Sequence, residues 1–170
     1  KVEISKELIL QEALQLLIQE GYTSVNIKTL ANQIGCSTQP IVWHFKNMAG
    51  FRQALAEYAL NYANKKMTPT SENGFEAFTE VGAAYVDLAF DEPELFKYLY
   101  LNGGSEYYIG EVDRLAAMVD NRELVESIAK VFDIRMAEAA SYLTNSIIYS
   151  TGILSMVVSN IMTCDKDKAK

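Results

Sequence analysis

Few residues of this 170-residue chain have the type and spacing for covalent chemistry, and the most informative of them fall in one short run. His44 is the only histidine and no second ligand stands at metal-binding spacing from it, so a contact with an anion or a capping hydrogen bond suits it better than a metal. Cys36 and Cys164 lie far apart with no CxxC pair, which reads as two reduced thiols of a cytoplasmic protein. There is no Ser/His/Asp order, Gly-rich phosphate loop, or cysteine nucleophile with its own histidine, so no catalytic residue, metal or cofactor is expected. The run does carry recognition chemistry. Gln39 offers an amide able to pair with an adenine edge, Thr38 a methyl suited to thymine, and Trp43 a large ring, all on the side of a short predicted helix away from apolar Ile41. A solvated surface residue is the plain alternative for Gln39. A tryptophan exposed beside a core residue more often touches something.

Those side chains need helices to hold them. Leu10, Ala13, Leu14 and Leu17 repeat at i, i+3, i+4, i+7 behind Ser5 as N-cap and ahead of Gly21 as a stop, predicting a first helix over about 5–20. Ile27, Leu30, Ala31 and Ile34 repeat the spacing after Asn26 as N-cap and end at Gly35. Ser37 can cap a third helix, in whose first turn Pro40 is harmless because those amides have no carbonyl partner within the helix. Phe45 closes it, and Asn47 can cap a fourth with Phe51, Leu55, Tyr58 and Tyr62 inward. The polar run KKMTPTSEN (65–73) then marks a boundary. Beyond it come a helical face of Phe75, Phe78, Gly82, Tyr85 and Ala89, a short helix after Pro93, and a break at Gly103 and Gly104. A helix through Leu115 to Met118, an amphipathic one over 121–132 and a long apolar one over about 135–161 complete the pattern. Nothing alternates with period two for long, so no sheet is expected.

Net charge is −7, an unlikely balance for a nucleic-acid binder until it is divided by position. Residues 1–66 carry seven basic against five acidic side chains, net +2, leaving −9 on the remainder. Such asymmetry suits a molecule with one end near phosphates, although +2 alone is a weak footprint.

Two short helices joined by the tight Gly35-Cys36-Ser37 turn, with small Ala31 where they cross and Ile41 returning to the core, fit a helix-turn-helix; a small three-helix bundle has the same local pattern. The run TLANQIGCSTQPIVWHFKNMAGF (29–51) also resembles the tetracycline-repressor-like (TetR) regulators, whose run of Ala-x-x-x-Gly, a small residue and Ser, then an aliphatic residue ahead of His-Phe is met by Ala31, Gly35, Ser37, Ile41, His44 and Phe45. The resemblance covers Ile9 to about Tyr58. It departs at Val42, where the family usually has tyrosine, at Met48, where it has lysine, and at Thr38, near which a lysine is common. Phosphate contacts then fall to His44, Lys46, Lys28 and helix N-terminal amides, beside the capping residues Asn26 and Ser37.

The resemblance implies an all-α subunit: a three-helix DNA-binding domain at 1–48, a connecting helix at 49–66, and a helical-bundle effector-binding and dimerisation domain at 67–170. It implies a repressor-type regulator of a palindromic operator on double-stranded DNA, working as a homodimer. The long helix carries Met136, Ala140, Leu143, Ile147, Leu154 and Ile161 on one stripe and Tyr142, Tyr149, Ile153 and Met156 on another, and two apolar stripes need two partners. Its apolar run from Ile147 to Met162 is too short and too hydroxyl-rich to span a membrane. The family's effector pocket would draw on Tyr85, Phe96, Tyr100, Tyr142 and Tyr149, a set suited to an apolar or aromatic molecule, while Asp87 or Asn145 could add polar specificity; ordinary core packing is the alternative for each. A start at Lys1 without methionine reads as a trimmed chain, and DKDKAK as the opening of a further helix. The rival function is a small-molecule-binding or scaffold protein whose helix-turn-helix has degenerated, motivated by Val42, Met48 and the acidic balance.

Overall fold

A computed structural model describes residues 4–101 and 121–170, and every regular element among them is helical. The order is α1 (Lys6–Glu20), a 3-10 turn (Tyr22–Ser24), α2 (Ile27–Ile34), α3 (Gln39–Phe45), α4 (Met48–Lys66), α5 (Gly74–Asp91), α6 (Pro93–Tyr100), α7 (Asn121–Phe132), α8 (Met136–Val158) and α9 (Lys166–Ala169). The glycine break at 103–104, the helix expected near Leu115 to Met118, and Tyr107 and Tyr108 lie outside the described residues. No helix among the described residues is long and apolar enough to cross a membrane.

These residues form two compact units, one of 4–64 with 92–101 and the other of 65–91 with 121–170. In the first, α1 is the central element. Its Ser5 hydroxyl accepts from the Leu8 amide at 3.1 Å and Gly21 (φ 84°) ends it, as the periodicity and caps predict. Ile9, Ala13 and Leu17 are fully buried, and α1 packs against α2, α3 and α6. Although α6 follows α5 in sequence, it groups with the first unit: Leu95, Phe96, Tyr98 and Leu99 are buried, the Tyr98 ring lies 4.8 Å from that of Tyr22, and the Tyr62 hydroxyl donates to Glu92 at 2.8 Å. Each large side chain buried there contributes about 1.5–3 kcal/mol.

In the second unit α5 packs on α7 and α8, and α7 on α8. Val125, Ile128, Ala139 and Leu143 form its core, with Phe78, Leu124, Ile134, Ala140 and Ile147 packed around them. The buried side of α5 is Ala77, Val86, Leu88 and Ala89, broader than the single face read from sequence, while Phe75 meets Phe132 edge-on at 6.0 Å and stays half exposed. One α8 stripe turns inward through Leu143, Ile147 and Leu154, and the other stays open at Tyr142, Tyr149 and Met156. The helix stops at Val158, short of the expected 161, because Asn160 adopts φ 57° and the Ile161 and Met162 amides fold back onto the Met156 carbonyl. Ile161 therefore leaves the inward stripe and is exposed. Lys166 pairs with Asp87 and Asp91, and Lys170 with Asp87, fastening α9 to α5.

Candidate nucleic-acid interface

The interface is built on α2, its following turn and α3. Asn26 Oδ1 accepts from the Lys28 and Thr29 amides, both at 3.0 Å, and Thr29 Oγ1 accepts from the Asn26 amide at 3.2 Å. This reciprocal cap stabilises the short helix by about 1 kcal/mol and commits the Asn26 Oδ1 to α2, while its Nδ2 donates to the Ser24 carbonyl at 3.3 Å. At the other end Gly35 takes φ 74°, ψ 34°, which lets the Cys36 amide reach back to the Ala31 carbonyl at 2.9 Å and turns the chain within three residues.

α3 begins one residue later than a Ser37 cap would place it. Thr38 already has helical backbone angles and no side chain caps the helix, so Ser37 and Thr38 are both left exposed at its entrance. Ile41 and Phe45 are buried, the Phe45 ring edge-on to Phe51 at 5.2 Å with the Lys6 ammonium 5.5 Å above it. With that face anchored, Gln39, Val42 and Trp43 follow i, i+3, i+4 along the opposite face, all exposed, and Lys46 follows, also exposed, just past the end of the helix; Trp43 is 79% and Val42 46% accessible. An open concavity runs along this side, lined by Ile4, Ser37 to Pro40, and Val42 to His44.

His44 is placed differently from its neighbours. Its Nε2 donates to the Ile4 carbonyl at 2.8 Å, forty residues away, tying the segment before α1 to the exposed helix. The Trp43 ring stands edge-on to the imidazole at 4.9 Å. Lys28 is exposed in the first turn of α2. Among the described residues no group of three or more His, Cys, Asp or Glu could hold a metal ion.

The joint to α4 is tight. Lys46 has φ 64° and ψ −47°, and the Asn47 amide donates to the Phe45 carbonyl at 2.7 Å, closing a γ-turn of the strained, positive-φ kind. Asn47 then caps α4 by accepting from the Gly50 amide at 2.9 Å, as its position predicts. Gly50 lies so close to α3 that a Cβ would stand 2.5 Å from the Phe45 carbonyl oxygen.

Residues 9–55, which contain all of this, match the model of the family described as bacterial regulatory proteins, tetR family. The head resembles that family's. Over 81 residues the chain is also 28% identical to the tetracycline repressor protein class C of Escherichia coli, a match covering 48% of this chain but only 37% of that protein. The tetR-like head thus gathers Ser37, Thr38, Gln39 and Trp43 on one exposed side, with Lys46 exposed past the end of α3 and Lys28 exposed on α2. Val42, Pro40 and Ile4 belong to the same surface and were missed from sequence, although Val42 is three residues from Gln39 and shares its face by helical spacing.

The residues considered for an effector are divided between the units. Phe96 is buried and Tyr100 partly so in the first, their rings 4.9 Å apart. In the second, the Tyr85 hydroxyl and Thr151 are 2.8 Å apart, and burial pushes the Tyr85 phenol up to about 12. Thr151 donates its proton to the Ile147 carbonyl at 2.7 Å, which leaves Tyr85 as the donor of the pair. The Tyr142 ring approaches Phe78 and Phe132 at 6.0 and 5.7 Å, and Tyr149 is 72% exposed.

Proposed function

We propose that this protein is a DNA-binding transcription regulator of the repressing kind, that it binds a palindromic operator as a homodimer, and that a small apolar or aromatic effector in the helical region beyond the head modulates binding. It acts by recognition and carries out no catalysis. The observation that carries the proposal is the exposed Gln39, Val42 and Trp43 stripe, held outward by buried Ile41 and Phe45 within the tetR-like stretch. A helix anchored along one side can lay the other in a major groove, where base edges present distinguishable donors and acceptors. The open stripe of Tyr142, Ile148, Tyr149 and Met156 on α8 supports a second copy as partner, since a run of large apolar side chains left exposed along one helix marks an interaction surface.

The scaffold alternative draws support from Val42, Met48 and the use of His44 on an internal carbonyl, all of which remove phosphate contacts. Selection from random-sequence duplexes at low salt separates the two. The regulator yields a two-fold symmetric site, with half-sites about 34–36 Å apart, and a salt-dependent affinity. A chain that enriches no sequence is the scaffold.

A further inference from the structure

We infer that the exposed face of α3 reads A·T base pairs, with Val42 contacting a thymine C5-methyl and Gln39 an adjacent adenine; this rests on the DNA-binding function proposed above. Each base edge calls for a particular chemistry: guanine O6 and N7 are read by Arg or Lys, cytosine N4 by Asp or Glu, adenine by Asn or Gln, and the thymine methyl by apolar groups. Residues 29–45 contain no Arg, Lys, Asp or Glu at all, so neither of the G·C-reading pairs is available along α2 after its first turn, through the turn, or on α3. His44, the one titratable ring there, has its Nε2 on the Ile4 carbonyl. Three cations stand around these elements without lying on α3 itself: Lys28 in the first turn of α2, Lys46 in the strained turn that ends α3, and Lys6, whose ammonium sits 5.5 Å over the inward Phe45 ring.

What the face does present is an amide at Gln39, hydroxyls at Ser37 and Thr38, and an unusually open isopropyl group at Val42, which is 46% accessible beside the even more exposed Trp43. Gln39 and Val42 are one helical turn apart, a separation of roughly 5–6 Å that suits neighbouring base pairs. An apolar side chain so placed has no role in the core, which Ile41 and Phe45 supply from the other side.

The test uses the full 170-residue chain. A preferred duplex is selected from a random pool at low salt, and each thymine in it is then replaced in turn by uracil, which lacks only the C5-methyl. At least one position in each half-site is expected to bind about fourfold more weakly, the effect of uncovering roughly one buried methyl group. Val42→Ala, which withdraws both γ-methyls and leaves only the methyl next to the backbone, should reduce that penalty at the same position, while Val42→Thr, which keeps one γ-methyl, should retain more of it; circular dichroism of both variants verifies that the head is folded. A preferred site that tolerates uracil everywhere, or a penalty unchanged in Val42→Ala, overturns this inference alone. A pool that enriches no sequence overturns it together with the function on which it rests.

Discussion

Gly50→Ala tests whether the α3–α4 joint is as close as the structure has it. In an ordinary helix this substitution stabilises by up to about 1 kcal/mol, because alanine loses less backbone freedom on folding. Gly82, with nothing within 4 Å of an added Cβ, should behave in that way. At Gly50 the new methyl would meet the Phe45 carbonyl oxygen at 2.5 Å, and that oxygen is backbone, already accepting from the Asn47 amide, so it cannot rotate aside as a flexible side chain would. Forcing one extra methyl into such a contact costs about 1–3 kcal/mol, which outweighs the helical gain. The expected outcome is opposite signs: Gly82→Ala raises the urea midpoint, and Gly50→Ala lowers it by about 0.5 M for a net loss of about 1 kcal/mol and a slope of about 2 kcal/mol per M. Urea titrations followed by far-UV circular dichroism measure both. If Gly50→Ala stabilised the protein as much as Gly82→Ala, α4 would not start against the end of α3, and the rigid placement of the exposed face would lose its basis.

Lys46→Gly and Lys46→Ala separate strain from charge: glycine relieves the positive φ and should raise stability by up to about 1 kcal/mol, alanine should not, and both should lower the salt slope of DNA binding by about one. Hydrogen bonds from Lys166 and Lys170 hold the Asp87 carboxyl below its usual range, so the docking of α9 is at full strength above the unfolded carboxylate's pKa, near 3.9, and is lost as pH falls through the folded value below it. Amide exchange in α9 should accelerate in acid, and Asp87→Asn should reproduce that at neutral pH. Burial pushes the Tyr85 phenol up to about 12, so its contribution is intact below about 10 and fades as pH rises from there toward 12, by up to about 2–3 kcal/mol. Urea midpoints across that range should fall less steeply in Tyr85→Phe than in the parent, and equal slopes would refute the assignment.

Much of the head was legible because its signals are local. Ser5, Asn26 and Asn47 cap helices whose first turns lie within three residues of them, and Gly21 and Gly35 end helices through their own positive φ. Where the next contact is distant, sequence is silent. The α6 pattern shows an apolar face but not that α1 packs against it, and α8 ends early through a reversal at Asn160 that its apolar composition does not announce.

The site itself shows the same division. Helical spacing is enough to put Gln39 and Trp43, each two residues from Ile41, opposite it, since that needs only the 3.6-residue repeat, whereas Thr38 stands three residues from Ile41 and is exposed because it precedes the helix as its cap residue. The place of His44 is not accessible in this way, because its partner is a backbone carbonyl forty residues earlier, and a carbonyl has no residue type to search for. Nor is the strain at Lys46, a residue that ordinarily avoids positive φ, or the contact that requires Gly50. Val42 is the instructive case. Compared with a pattern that has tyrosine there, it counts as a missing phosphate anchor. Placed on the helix, it is an open apolar group one turn from a glutamine, on a stretch without formal charge, and the thymine contact proposed for it would set base discrimination against the lost phosphate contact.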